Sequence, residues 1–224
     1  MNKFIIMGVQ GCGKGTQAKL LAKDFDLVHI SVGDIFRWQL QSHTKLGARI
    51  ARFTHAGELV PDEIVEEIVR GRLEQHDWNY GFILDGFPRN SRQAEFFLES
   101  YDIHAVIQLD MDDQVVFDRV LNRRLCGKCG LDYNLIFHRP KNDDTCDVCG
   151  GQLVSRADDT PEALRARLRD YHGKTAPILE LFRRKELVVA ADATQPAAAV
   201  QAEIRQKLHL PPMHANGKPV SAKV

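Results

Sequence analysis

The chain has no excess charge of either sign: 30 lysines and arginines stand against 30 aspartates and glutamates in 224 residues. That balance removes the broad field that draws nucleic-acid polymers or anionic membranes to a surface, so cations meeting an anionic ligand must be placed locally. Long apolar runs are also missing, and no stretch approaches the twenty or so residues of a membrane span. The opening Met1-Asn2-Lys3 and the short apolar run after it break at Gly8, without the features of a secretory signal, which points to the cytosol. No internal repeat or low-complexity block is present. Cysteine is scarce, five in all, and in a reducing compartment these read first as metal ligands or free thiols and only then as disulfides. The length suits one α/β domain with insertions, or a core with a small satellite.

What is present begins with a glycine-rich run, Gly8-Val9-Gln10-Gly11-Cys12-Gly13-Lys14-Gly15-Thr16, between the apolar strand Phe4-Ile5-Ile6-Met7 and a segment with Ala18, Leu21, Ala22 and Phe25 at helical spacing. Glycines let backbone N–H groups turn inward, the helix adds its positive end, and Lys14 reaches the outer phosphates of a nucleotide. The hydroxyl falls one position later than the general rule, at Thr16 after Gly15, so its direct ligation of magnesium is left open. Cys12 contributes its backbone N–H rather than its sulfur.

Apolar β-branched runs at 4–7, 81–84, 105–109 and 187–191 alternate with helix-period segments, which predicts an α/β fold around a parallel sheet. Ile64, Val65, Ile68, Val69 and Leu73 form one helical face, and Val115, Val116, Val120 and Leu121 another. Residues 161–184 read as a long helix capped by Thr160, bent or broken by Gly173 and Pro177, and 196–208 as the last helix. Two stretches break the alternation: 31–60, which looks helical, and 125–155, which carries four cysteines and β-prone pieces such as Leu135-Ile136-Phe137. Insertions at the carboxyl edge of a parallel sheet are natural lids. The tail, 211–224, reads as disordered.

Cys126-Gly-Lys-Cys129, sixteen residues, then Cys146-Asp-Val-Cys149 is a paired spacing suited to tetrahedral zinc. Four thiolates fill the coordination shell, so the ion would be structural. Asp85, at the end of a strand in Leu84-Asp85-Gly86-Phe87-Pro88-Arg89, suits either a magnesium ligand or a turn-capping acid. Arg119, Arg123 and Arg124 read as one helix, with Arg119 and Arg123 a turn apart. Arg156 and Arg167 flank the start of the long helix, so guanidinium groups border the cysteine insertion on both sides.

These motifs, in this order, resemble the bacterial adenylate kinases with a zinc-binding four-cysteine lid, over about 1–208. The resemblance implies a P-loop nucleotide kinase: a core of 1–30, 61–124 and 160–210, an AMP-binding insertion at 31–60, and a lid at 125–159 swinging on hinges near Arg124 and Asp158. It implies MgATP and AMP as substrates, structural zinc, and a monomer binding no nucleic acid or membrane. For ATP it implies Gly11, Cys12, Gly13, Lys14, Gly15, Thr16, Arg119, Arg123, Asp132, Tyr133 and Gln195. On the AMP side it implies Val32, Arg37, Glu58, Leu59, Val60, Gly86, Phe87, Pro88, Arg89, Gln93, Arg156 and Arg167, with Gln93 reading the base. The catalytic set it implies is Lys14, Asp85, Arg89, Arg123, Arg156 and Arg167. Two positions depart from the family. Gln10 replaces the usual proline, which is expected to affect only loop rigidity, and Val32 replaces a threonine beside the acceptor base. Another nucleoside monophosphate as acceptor, and a zinc-ribbon nucleic-acid binder, are the competing readings.

Overall fold

Strands that are apolar on both faces can be stable only when covered on both sides. The computed structural model, which describes residues 2–77, 80–156, 158–185 and 187–212, resolves them this way. β1 (Lys3–Gly8), β2 (Val28–Ser31), β3 (Phe82–Asp85), β4 (Ala105–Asp110) and β8 (Val188–Asp192) form a parallel sheet in the order β2-β3-β1-β4-β8. Ile5 of β1 lies level with Leu84 on one side and Val106 on the other.

Alternate residues of β1 feed two cores. Phe4 and Ile6 pack with α1 (Lys14–Phe25), α6 (Asp113–Leu121), α7 (Pro161–Asp170) and α9 (Ala197–Lys207) through Leu21, Val116, Leu164 and Ile204. Ile5 and Met7 pack with α2 (Val32–Gln41), α3 (Lys45–Ala56), α4 (Asp62–Glu74), α5 (Ser91–Ser100) and α8 (Ala176–Arg183) through Phe36, Ile50, Val65, Phe97 and Phe182. The result is the expected helix–sheet–helix arrangement.

The differences from the sequence reading have local causes. β2 goes unrecognised because it is a four-residue edge strand whose first half is only partly buried. α5 goes unrecognised because its buried face is short, Gln93, Ala94 and Phe97, although Asn90 caps it by accepting from the Gln93 N–H at 2.9 Å. Residues 161–183 are helical throughout, with Thr160 accepting from the Ala163 N–H at 3.2 Å. The predicted disruption takes the form of a π-helical turn, Tyr171–Thr175, just before Pro177, where a missing N–H is accommodated by widening the ladder.

Arg123 and Arg124 are not on the helix with Arg119. α6 ends at Leu121, and both arginines belong to β5 (Arg123–Cys126), which pairs antiparallel with β6 (Asp132–Asn134) and β7 (Leu153–Val154). Strand pairing overrides the helical spacing. Leu135, Ile136 and Phe137 form a turn beyond β6, not a strand. The 31–60 stretch carries α2 and α3, as read. The tail expected to be disordered lies, from 213 onward, outside the described residues.

Candidate active site

The loop between β1 and α1 is shaped by backbone that only glycine suits. Gly8 and Gly11 have φ of +149° and +80°, and a Cβ on them would stand 2.5 Å from the Leu109 carbonyl oxygen and 2.6 Å from Val120 Cγ2. Lys14 Nζ folds over the loop, donating to the carbonyls of Gly8 at 2.9 Å and Val9 at 2.7 Å. Cys12 is buried beneath, and burial pushes its thiol up, away from the reactive thiolate. Asp85, at the end of β3, is 8% exposed, with Oδ2 about a van der Waals contact from where a Gly15 side chain would begin (3.5 Å) and 3.9 Å from His29 Nε2. An acid thus stands at the start of α1. His29, a lone histidine in an unrecognised strand, carried no signal of this in the sequence.

Around this loop the structure gathers five arginines, three from elements and two, Arg89 and Arg156, from connecting segments. Arg37 on α2 pairs with Asp34. Arg123 on β5 forms a bidentate pair with Asp159, Nε to Oδ2 at 2.9 Å and Nη2 to Oδ1 at 2.5 Å. Arg156 reaches Asp132 at 2.9 Å, and Arg167 on α7 reaches Asp158 at 2.7 Å. Arg89 after β3 donates Nε to its neighbour's carbonyl, Gly86, at 2.8 Å. Arg89 and Arg156 feel the charges of the others. Burial and then the Arg167 charge push Arg89 down, and burial and then Arg123 and Arg37 push Arg156 down. Cations gathered until they depress each other form a site for a polyanion, and the carboxylates are the partners that phosphates would replace. The sequence reading gives Asp158 only the role of a hinge and Asp159 none, although two adjacent acids among arginines are a legible signal.

Other expected residues fall around this centre. Glu58, Leu59 and Val60 join α3 to α4, and Val32 is buried at the start of α2 at 1% exposure, offering no hydroxyl. Phe87 and Pro88 are buried on a cis peptide beside Arg89. Gln93 is 1% exposed, and its amide is engaged: Oε1 accepts from the Arg89 N–H at 2.8 Å and Nε2 donates to Asp62 at 2.6 Å. Across the loop, Arg119 donates to the carbonyls of Ala193 and Thr194 next to Gln195, and its guanidinium lies 5.0 Å from the Phe137 ring. That ring is 56% exposed, and sequence reading had seen it only as a β-prone piece. Tyr133 turns inward instead: it is 3% exposed and its hydroxyl meets Cys146 Sγ at 3.4 Å, leaving only its backbone for a ligand.

The cysteine quartet converges. All are free thiols, and the four sulfurs lie within 4.8 Å of one another, with Cys126–Cys149 at 3.4 Å and Cys129–Cys146 at 3.6 Å. A tetrahedron with zinc–sulfur bonds of 2.3 Å has sulfurs about 3.8 Å apart, so this donor set fits a divalent ion of that kind. Two matching turns build it: the Gly130 N–H donates to the Cys126 carbonyl and the Gly150 N–H to the Cys146 carbonyl, each at 2.9 Å, and both glycines have positive φ, +73° and +67°. The bond with the Tyr133 hydroxyl holds the Cys146 thiol down to about 6, toward the thiolate a metal needs.

A glycine loop between the first strand and helix of a parallel sheet, with an acid at the next strand end and a ring of arginines over it, defines a phosphate-loop nucleotide kinase. A model of the adenylate kinase family matches residues 6–187. The chain is 42% identical to an adenylate kinase of Clostridium tetani over 197 residues, covering 86% of this chain and 91% of that one. It is 40% identical to an adenylate kinase of Caldicellulosiruptor saccharolyticus over 211 residues, 92% and 98% of the two chains, and 39% identical to one from Methanocella arvoryzae over 208. The chain belongs to the adenylate kinase family. No described helix is long and apolar enough to cross a membrane.

Proposed function

We propose that this enzyme transfers the γ-phosphoryl of MgATP to AMP, giving two ADP, as a cytosolic monomer, and that the arginines gathered over the phosphate loop carry the chemistry. Two unit charges 4 Å apart repel by about 4 kcal/mol at an effective dielectric near 20, and the two nucleotides bring several such pairs together. The guanidinium groups of Arg37, Arg123, Arg156 and Arg167 offset that repulsion by exchanging carboxylate partners for phosphate oxygens, and that of Arg89, held on the Gly86 carbonyl, adds a fifth positive charge.

ATP phosphates would lie on the N–H groups of Gly11 to Thr16 and on Lys14, with the base between Arg119 and Phe137. AMP would lie between α2 and the Gly86–Arg89 segment, with Gln93 holding the Arg89 backbone in place. Magnesium arriving with ATP would neutralise its outer phosphates, and Asp85 is the carboxylate placed to hold it directly or through water. No general base is required, since the attacking phosphate oxygen is already ionised.

The 125–159 region acts as the lid, and its closure excludes water that would otherwise accept the phosphoryl group. Cys126, Cys129, Cys146 and Cys149 would hold zinc, which supplies rigidity and no reaction step. A coupled assay of ADP formation from ATP with AMP, UMP or CMP as acceptor tests the reading. AMP is expected to be preferred, and Arg123→Lys to lower turnover on the order of a thousandfold, since lysine cannot make the bidentate contact. Absence of ADP formation from metal-replete protein would refute it, and preference for a pyrimidine acceptor would move the assignment to another monophosphate, with Val32 the first residue to test.

A further inference from the structure

The tip of the phosphate loop carries a side chain for which the reaction above has no use. Gln10 was expected to matter only for loop rigidity. Its half-buried amide instead engages two residues roughly 150 positions away: Oε1 accepts from Arg167 Nη1 at 3.0 Å, and Nε2 donates to Asp159 Oδ1 at 3.2 Å. Asp159, 2% exposed, receives Nε and Nη2 of Arg123, while Arg167 is also held by Asp158 and by the Thr54 carbonyl at 3.4 Å. One continuous line, Arg167 to Gln10 to Asp159 to Arg123, therefore crosses the crevice directly above the loop.

The chemistry of the two ends fixes the amide. A guanidinium only donates and a carboxylate only accepts, so the oxygen faces Arg167 and the nitrogen faces Asp159. Few other side chains could serve both ends while adding no charge. An incoming phosphate competes with Asp158 for Arg167 and with Asp159 for Arg123. When the Asp158 carboxylate is displaced, Nη1 of Arg167 is still tethered to the loop through Gln10 and Nη2 to the Thr54 carbonyl, so the N–H that Asp158 held is available to the phosphate. A tethered guanidinium needs little reorganisation as charge develops.

We infer that Gln10 is a positioning residue for phosphoryl transfer, aligning Arg167 over the phosphate loop directly and, through Asp159, holding Arg123 there until phosphate takes the carboxylate's place. This rests on the kinase reading above. The test compares wild type and Gln10→Ala as full chains in single-turnover rapid-quench reactions with MgATP and AMP. Equilibrium binding of each nucleotide and thermal unfolding are measured on the same samples. The single-turnover rate is expected to fall on the order of tenfold, with both dissociation constants within about twofold and the unfolding midpoint unchanged. Gln10→Ala combined with Asp159→Asn should lose less than the two effects multiplied, because both break one line. A Gln10→Ala rate within about twofold of wild type would overturn the inference, as would a loss that follows the unfolding midpoint or a strictly multiplicative double variant. Failure of the wild type itself to make ADP would instead overturn the kinase reading, so the two failures are distinguishable.

Discussion

The core and the lid of this molecule are held together by different physics. Among the described residues each face of the main sheet is covered by a cluster of twenty buried residues, whereas the buried cluster of the lid is Cys126, Tyr133, Cys146 and Leu153. A segment so small cannot bury enough apolar surface to offset the entropy of ordering it, and in the proposed reading sulfur–metal bonds take the place of hydrocarbon. The core is ordered by burial spread over many strands and helices, and the lid by four atoms at one point. The lid motion proposed above calls for a part that is internally rigid yet lightly attached, and point fixation suits that where a continuous core would weld it in place.

The largest expected break in this contrast is in the core. Phe97, 0% exposed, stands edge-on to Phe82 and Phe87 at 6.1 and 5.8 Å and stacks on Tyr101 at 4.9 Å. Phe97→Ala is expected to cost about 3–5 kcal/mol in denaturant unfolding and to lower the stability of the whole chain in one transition. A confined loss, with the sheet intact, would contradict a single shared core.

Next comes the lid. Chelation, or Cys146→Ser, is expected to expose the amides of β5, β6 and β7 to hydrogen exchange while those of β1 and β4 stay protected, and to lower the melting temperature. Unchanged lid protection after complete metal removal would show that the lid needs no ion.

The smallest effect sharpens the boundary between the two regions. Burial alone would push the Asp158 carboxyl up, but the Arg167 charge and hydrogen bond outweigh it and hold the carboxyl below its ordinary value of 3.8. A carboxyl depressed on folding stabilises the folded state above its unfolded pKa, and that stabilisation is lost as the pH falls through the folded value, hence below about pH 4. Asp158→Asn should therefore cost at most about 1 kcal/mol at neutral pH, the pair being partly exposed, and progressively less in acid as the pH falls below about 4. Denaturant midpoints at neutral pH and in acid check this, and an equal loss at both would exclude the ion pair as the cause.

What was legible in the sequence was local. The glycine loop, the Thr160 cap and the two cysteine turns are set by residues within about five positions, where turn chemistry and helix ends leave few choices. Four of the five parallel strands could be read because both of their faces are apolar, while β2 could not, being a half-covered edge with a histidine in it. Arg123 and Arg124 were misplaced because a four-residue spacing looks helical until the strand that pairs with them is known. Gln10 and Phe137 were passed over because neither side chain has a partner within reach of a motif; Gln10 meets residues 149 and 157 positions away.

By itself the amino-acid sequence determined which chemistry is available here: a phosphate-binding loop, a four-cysteine cluster and a supply of arginines, each encoded by short-range spacing. Only the tertiary structure decided where that chemistry is aimed. It brought five guanidinium groups from distant parts of the chain together, close enough that Arg89 and Arg156 are pushed down by the charges of the others, and gave each a provisional partner. The physical reason is range: turns and caps are settled between near neighbours, whereas electrostatic convergence depends on which faces the packed sheet and helices bring together.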